Sequence, residues 1–131
     1  MTPSLKNEYT IQRVAEMTGI SAHTLRYYEK IGLLAPVKRH SNQHRRYSEN
    51  DLGWIDFIKL LRETGMPLRQ MQRFMQLARR GAGTISDRIV LLSDHRRELF
   101  TRIAELQAHL EHLDRKIAYY QGIAARKNGQ R

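Results

Sequence analysis

The C-terminal third of the chain repeats an apolar pattern every seven residues, and this repeat constrains the fold more than any other feature. Ile89 begins one series that returns at every seventh residue, and Leu92 begins a second series three residues later. An a/d spacing sustained over this length predicts a long helix with a coiled-coil seam. We therefore assign residues 84–124 to a coiled-coil dimerisation helix. The seam positions are Ile89, Leu92, Arg96, Leu99, Ile103, Leu106, Leu110, Leu113, Ile117 and Tyr120.

The seam of such a helix needs a partner, and the whole chain has only 131 residues. Dimerisation is the simplest way to bury the seam, and folding back onto the preceding helices is the alternative. Arg96 is the charged member of the seam, and a lone polar a position can fix the register of a coiled coil at a cost in stability. Residues 125–131 are expected to form a disordered tail.

Positive charge is concentrated in the N-terminal part of the chain. The formal net charge is +10; residues 1–80 contain 14 Lys and Arg against 7 Asp and Glu, and residues 81–131 contain 9 against 6. The first segment therefore carries a net +7 and the second a net +3. An excess of this kind favours polyanionic partners, either nucleic acid or an anionic membrane surface.

Several classes of protein are disfavoured by what the sequence lacks. It contains no cysteine, which excludes disulfides, thiolate metal sites and thiol-based redox sensing. No apolar run approaches the roughly 20 residues needed to span a bilayer, and we expect a cytoplasmic protein. Neither a Gly-rich phosphate loop nor a Ser/His/Asp arrangement is present, so we expect no enzyme activity and no cofactor.

Two short helical segments near the N-terminus are joined by a tight turn. In the first, Ile11 and Val14 face inward, and Gly19 suits a left-handed position after the helix. Ser21 is an N-cap for the second, which stops near Gly32. This pattern predicts a helix-turn-helix, although an ordinary αα-hairpin has the same signals.

A basic segment follows the second helix. Pro36 prevents continuation of the helix, and a polar turn at 41–43 predicts a two-stranded β-hairpin. No acidic residue occurs in 36–47. One interpretation is a solvated basic loop, and the other is a wing that lies along DNA. The cations of the segment are Lys38, Arg39, Arg45 and Arg46.

Two more helices complete the N-terminal part. Ser48 and Asp51 resemble a capping box at the start of a third, mostly buried helix. Gly65 ends that helix, and Pro67 suits the first turn of a fourth. The inward face of the fourth helix comprises Leu68, Met71, Phe74, Met75 and Ala78.

Three segments in order, "YTIQRVAEMTGISAHTLRYYEKIGLLAP", "RRYSENDL" and "LRETGMPL", resemble the MerR family of bacterial transcription regulators. The resemblance implies a mainly α fold, with a winged helix-turn-helix DNA-binding domain and a small two-stranded wing at 8–81, followed by the coiled-coil helix. It also implies an antiparallel homodimer on a near-palindromic promoter element. Such regulators distort the spacer between the −35 and −10 hexamers so that RNA polymerase engages both.

The resemblance also identifies candidate DNA contacts, most of them to phosphates, which position the protein without reading sequence. Two positions depart from the family pattern: Asn42-Gln43 replaces the usual Asn-Gly at the wing turn, and His23 stands where many members have Arg. The candidates are His23, Thr24, Arg26, Tyr27 and Tyr28 on the second helix, and Arg39, Arg45, Arg46 and Tyr47 on the wing.

The sequence suggests two other kinds of site, a metal site and an effector site. Glu105, His109 and His112 have a spacing that can chelate a metal ion such as zinc, but their heptad positions face outward and favour a solvated pair of histidines. The effector is unknown from sequence. A small molecule could bind between the fourth helix and the partner's long helix, near Met71, Met75 and Phe100.

The remaining alternative concerns specificity. A non-specific architectural DNA-binding protein would use the same basic surface. Such a protein would bind unrelated DNA nearly as tightly as its own promoter, with a steep dependence on salt.

Overall fold

A computed structural model describes residues 8–36 and 46–129, and these residues are mainly helical, as predicted. A 3₁₀ turn at Ala82–Thr84 precedes the last helix. The chain divides into two compact units, Met1–Leu91 and Leu92–Arg131. The helices are α1 at Ile11–Thr18, α2 at Ala22–Lys30, α3 at Glu49–Glu63, α4 at Leu68–Arg79 and α5 at Ile85–Gly129.

The first three helices begin at capping side chains. The Ser21 hydroxyl accepts a hydrogen bond from the Thr24 N–H at 3.1 Å, and Ser48 accepts from the Asp51 N–H at 3.1 Å. The Asp51 carboxylate in turn accepts from the Ser48 N–H at 2.9 Å, which confirms the predicted capping box. Thr10 caps α1 in the same way. These bonds satisfy N–H groups that a helix start leaves without partners.

The turn between α1 and α2 is held from two sides. Gly19 adopts a left-handed conformation with φ 74°, and its N–H donates to the Ala15 carbonyl at 2.9 Å. A residue with a Cβ would be strained there. From α3, Lys59 Nζ donates to the Thr18 carbonyl at 2.6 Å. The angle between α1 and α2 is therefore fixed by backbone geometry and by a cation at the end of α1.

The core of the first unit lies between α1, α2, α3 and α4. Phe57 and Phe74 join α3 to α4, with ring centroids 5.1 Å apart. The predicted inner face of α4 is buried at Met71 and Met75, whereas Leu68 at its first residue is exposed. The most completely buried side chains are Val14, Leu25, Leu33, Tyr47, Ile55 and Ile58.

The predicted wing falls mostly on residues 37–45, outside the described part of the chain, so the hairpin stays a prediction. Within 8–36 and 46–129, the β pairing consists of one antiparallel bridge between Tyr9 and Tyr47. Their backbones exchange hydrogen bonds of 2.8 and 2.9 Å. The sequence did not predict that the segment before α1 would pair with the residue that ends the wing.

Polar contacts attach the start of α5 to the end of α4. Thr84 Oγ1 lies 2.6 Å from the Leu77 carbonyl oxygen and donates to it. Arg88 donates from Nε to Thr84 Oγ1 at 3.1 Å and from Nη2 to the Gly81 carbonyl at 2.9 Å. The first turn of α5 is thereby fixed within the first unit.

The second unit is the continuation of α5, which reaches Gly129 instead of ending at residue 124. The expected disordered tail is therefore wrong for residues 125–129. Alanine, arginine and lysine in this stretch are strong helix formers, and cations in a last turn interact favourably with the helix dipole. Neither described stretch contains a helix both long and apolar enough to cross a membrane.

The predicted seam of α5 is exposed along most of its length in the part of the chain that the structure describes. The exposed seam residues are Ile89, Ile103, Leu106, Leu110, Leu113, Ile117 and Tyr120, each between 45% and 61% exposed.

Candidate nucleic-acid interface

One face of α2 presents a polar and cationic stripe. His23, Arg26, Tyr27 and Lys30 are all exposed. Their spacing of i, i+3, i+4 and i+7 places them along a single helical face. Three of these four were predicted as DNA contacts. Lys30 was not among the predicted contacts, although its place seven residues after His23 puts it on the same face.

The two adjacent tyrosines of α2 occupy different environments. Tyr27 is 48% exposed and belongs to the stripe, whereas Tyr28 is 6% exposed and packs in the core. Their ring centroids are 6.5 Å apart. The Tyr28 hydroxyl accepts a hydrogen bond from Arg62 Nη1 at 3.1 Å. Adjacent helical residues point about 100° apart, which explains why one ring is in the core and the other in solvent.

Arg62 is an exposed cation beside α2 that sequence reasoning missed. It lies in the last turn of α3, and 34 residues separate it from Tyr28. No local spacing in the sequence connects the two residues, so only the folded chain shows their contact. The bond places the guanidinium at the side of α2 while leaving other N–H donors available.

Thr24 is half-buried and takes part in the cap of α2. Its side-chain oxygen accepts a hydrogen bond from the Ser21 hydroxyl at 2.9 Å. The hydroxyl proton of Thr24 remains available for another acceptor. Of the predicted contacts on α2, Thr24 therefore has its side chain partly committed to the fold.

The far end of α2 is held by α4. Gln72 Nε2 donates to the Ile31 carbonyl at 3.1 Å, and Arg79 Nη2 donates to the Gly32 carbonyl at 2.6 Å. The Leu33 N–H closes the end of the helix on the Tyr28 carbonyl at 2.8 Å. With its start capped and its end bound to α4, α2 is presented as a rigid element, which reduces the ordering cost of binding.

Two of the four predicted wing contacts, Arg46 and Tyr47, lie in the part of the chain that the structure describes. Arg39 and Arg45 lie outside the described residues. Arg46 is half-buried, and the Tyr47 side chain is fully buried. Tyr47 therefore belongs to the core, and its backbone pairs with Tyr9.

A short hydrogen bond fixes the segment that pairs with Tyr47. The Tyr9 hydroxyl donates to Glu49 Oε1 at 2.5 Å. This bond to a carboxylate is the main reason why the pKa of Tyr9 is raised above its ordinary value of 10.0, with burial and the negative charge of Glu49 adding to it. The bond links the start of the chain to the first turn of α3.

The remaining candidate sites are the histidine pair on α5 and the suggested effector site. His109 and His112 are exposed on α5, and the stretches 8–36 and 46–129 contain no group of three or more His, Cys, Asp or Glu side chains that could hold a metal ion. For the suggested effector site, Met71 and Met75 are buried in the first unit, and Phe100 in the second is 66% exposed.

Comparison with known families accounts for this arrangement of helices. Residues 9–78 match the family described as MerR HTH family regulatory protein, and residues 52–116 match the MerR DNA-binding family. The chain belongs to the MerR family. It is a DNA-binding transcriptional regulator of this family, and α1 and α2 are its helix-turn-helix.

Solved structures and curated MerR-type relatives extend the likeness over most of the chain. HiNmlR, a MerR family regulator lacking the sensor domain and bound to promoter DNA, is 39% identical with a TM-score of 0.82, covering 90% of this chain and 94% of that one. A MerR family regulator from Listeria monocytogenes is 37% identical with a TM-score of 0.82, covering 86% of each chain. A helix-turn-helix transcriptional regulator from Haemophilus influenzae is 40% identical over 117 residues, 89% of this chain and 87% of its own length.

Proposed function

We propose that the protein binds a promoter as a homodimer and regulates transcription by distorting the DNA. The observation that carries the proposal is the solvent-facing stripe of α2, formed by His23, Arg26, Tyr27 and Lys30. The major groove of B-DNA admits one α-helix, and a recognition helix places such a face against base edges and phosphates. Arg26 has the fork geometry for a guanine edge or a phosphate.

Further cations flank the stripe. Arg62 stands beside α2 through its bond to Tyr28, and it contacts a phosphate in this proposal. Tyr28 contributes by holding Arg62 and not by direct contact through its ring. From the wing we retain Arg39, Arg45 and Arg46 as phosphate contacts, with Tyr47 as their buried support.

The homodimer is supported by the exposed seam of α5. A row of Ile and Leu side chains that are about half exposed in one chain is unusual for a monomer, and extended apolar surface of this kind marks an interface. The a/d spacing fits a second copy of the same helix, with Leu99 and Arg96 as further members of the seam.

The charged residue of the seam favours an antiparallel pair. In a parallel pair, Arg96 would face the partner's Arg96 in the same layer, and two guanidinium groups would repel. In an antiparallel pair centred between Ala104 and Glu105, Arg96 faces the partner's Leu113, and the two arginines lie about 25 Å apart at 1.5 Å per residue. A two-fold dimer of this kind presents two α2 helices to two half-sites, which fits an inverted repeat.

The regulatory step follows the family resemblance. Bending or untwisting an overlong spacer between the −35 and −10 hexamers would let RNA polymerase engage both. Deformation of this kind contributes specificity at base pairs that the protein does not touch. Support comes from the likeness to HiNmlR, which lacks a sensor domain and was solved with promoter DNA.

The test is to incubate the protein with fragmented genomic DNA from its source and to sequence what is retained at moderate and at high salt. We expect recovery of one or a few promoters that contain an inverted repeat across a long spacer. A matched protein with Arg26→Ala and Lys30→Ala should lose them. Uniform recovery of unrelated fragments, lost steeply with salt, would contradict the proposal and favour the architectural alternative.

A further inference from the structure

A cavity of about 150 Å³ opens in the first unit, between the chain that leaves α2, the N-terminal half of α3 and the C-terminal half of α4. A volume of this size holds about one aromatic ring. Its lining combines apolar walls with a polar rim. The walls are Leu34, Ala35, Trp54, Met75 and Ala78, and the rim is Asn50, Asp51 and Arg79.

The parts of the lining are fixed by contacts elsewhere in the unit. Leu34 and Met75 are each 4% exposed and belong to the core. Asp51 is held in the capping box of α3, and Arg79 is held by its 2.6 Å bond to the Gly32 carbonyl. A cavity whose walls are already ordered binds a ligand without a large cost of rearrangement.

The rim selects the charge of the ligand. Asp51 is an acidic residue and Arg79 is a basic one, so a ligand of either charge would be attracted by one of these side chains and repelled by the other. A charged ligand would also lose hydration on entering an apolar cavity. A neutral ring avoids both costs. One hydroxyl or amide on that ring would find both an acceptor and donors at the rim, because Asn50 supplies both kinds.

We propose that this cavity binds a neutral, single-ring aromatic molecule with one hydrogen-bonding group, of the phenol class, and that this molecule is the effector of the regulator. The effector role rests on the proposed DNA-binding function, whereas the site itself does not. Leu34 and Ala35 lie directly before the basic segment at 37–45, and Arg79 also holds the end of α2. A ligand between them contacts the connection that joins the two proposed DNA-contacting elements.

The site is testable because Trp54 is the one tryptophan of the chain and lines the cavity. Titration of the dimer with phenol should give a saturable change in tryptophan emission, with excitation beyond the tyrosine band. Ala78→Leu should fill the cavity and weaken binding by about tenfold or more, because close-packed walls leave no room for both groups. Ala118→Leu, on an exposed face of α5, is the matched control and should bind as the parent does.

A second variant guards against a folding defect. Ala35→Leu enlarges another lining side chain, at an exposed position. It should also weaken phenol binding while the unfolding temperature stays near that of the parent. If both variants fold and bind phenol unchanged, the proposal is wrong. Tighter binding of benzoate or benzylammonium than of phenol would overturn the assigned ligand class.

Two further outcomes separate this inference from the proposed function. Tryptophan emission that changes on dilution of the dimer, but not with phenol, would mean that a partner side chain fills the cavity, and would overturn the inference. Promoter DNA affinity measured with and without phenol should change by the same factor as phenol affinity measured with and without DNA. If the protein binds its promoter but gives no phenol signal, the proposed cavity site is wrong and the proposed function stands. If it gives a phenol signal but binds no promoter, the proposed function is wrong and the cavity site stands.

Discussion

At the scale of single residues, the pair Tyr27 and Tyr28 shows how one sequence motif divides between surface and core. The first ring is exposed and the second is buried, and the buried one holds a cation from α3 at the surface. A tyrosine has both an apolar ring and a polar end, so Tyr28 packs and positions Arg62 at once. Substitutions at the two positions should therefore have different consequences.

Arg62→Ala should weaken binding to every DNA sequence and lower the slope of log affinity against log salt by about one unit, because one phosphate contact is lost. Affinity measured by fluorescence anisotropy over a salt series checks this. Arg97→Ala, an exposed change on α5, is the matched control and should leave the slope unchanged. A parent-like slope for Arg62→Ala would exclude the phosphate contact.

The bond between Tyr9 and Glu49 should be visible in a pH titration. Because it raises the pKa of Tyr9, its contribution to stability is present below pH 10.0 and is lost as the pH rises through the raised pKa. Glu49→Gln should bring the titration midpoint of Tyr9 back towards 10.0. NMR titration with Tyr9→Phe to assign the signal measures this, and an unchanged midpoint in Glu49→Gln would contradict the assigned cause.

At the scale of elements, the helix boundaries follow from local chemistry and were predictable. Ser21, Ser48 and Gly19 act within a few residues of themselves, so the printed sequence contains the whole signal. The bridge from Tyr9 to Tyr47 and the contact from Arg62 to Tyr28 join residues more than thirty positions apart. Nothing in the local pattern specifies such pairs, and for that reason the candidate site was predicted less completely than the fold.

The cap of α3 should have a measurable effect on stability. Ser48→Ala removes the side chain that accepts from the Asp51 N–H and should lower the free energy of unfolding by about 1 kcal/mol. Chemical denaturation provides the measurement. Ser86→Ala, at an exposed position in the first turn of α5, is the control. If both variants lose the same free energy of unfolding, the cap of α3 does not stabilise the protein beyond an ordinary surface serine.

At the scale of the whole molecule, the proposed dimer depends on a central seam layer. Leu106→Asp places a charge where the proposed dimer buries Leu106 against the partner's Ile103, and it should give monomers in sedimentation experiments because an unpaired buried charge is costly. Ala108→Asp adds the same charge on the outer face and should remain dimeric. If the Leu106→Asp protein remains dimeric, the dimer interface does not lie along the seam.

Orientation of the pair can be tested because the chain has no cysteine of its own. In the antiparallel register, Leu99 faces the partner's Leu110, so a mixture of Leu99→Cys and Leu110→Cys chains should form a disulfide under mild oxidation. Either variant alone should not, since its two thiols would be too far apart. Efficient cross-linking of Leu99→Cys with itself would establish a parallel pair.

The bridge between Tyr9 and Tyr47 bears on how the protein is prepared for any of these measurements. An affinity tag added before Met1 is joined to the chain eight residues ahead of Tyr9, whose backbone pairs with the last residue of the proposed wing. A polyhistidine tag at this end adds titratable side chains to the unit that contains the proposed DNA contacts, and protonated histidines would add to the salt slope. A tag placed after the last helix adds to the second unit instead. Binding constants from the two fusions should be compared before any charge is assigned to the protein itself.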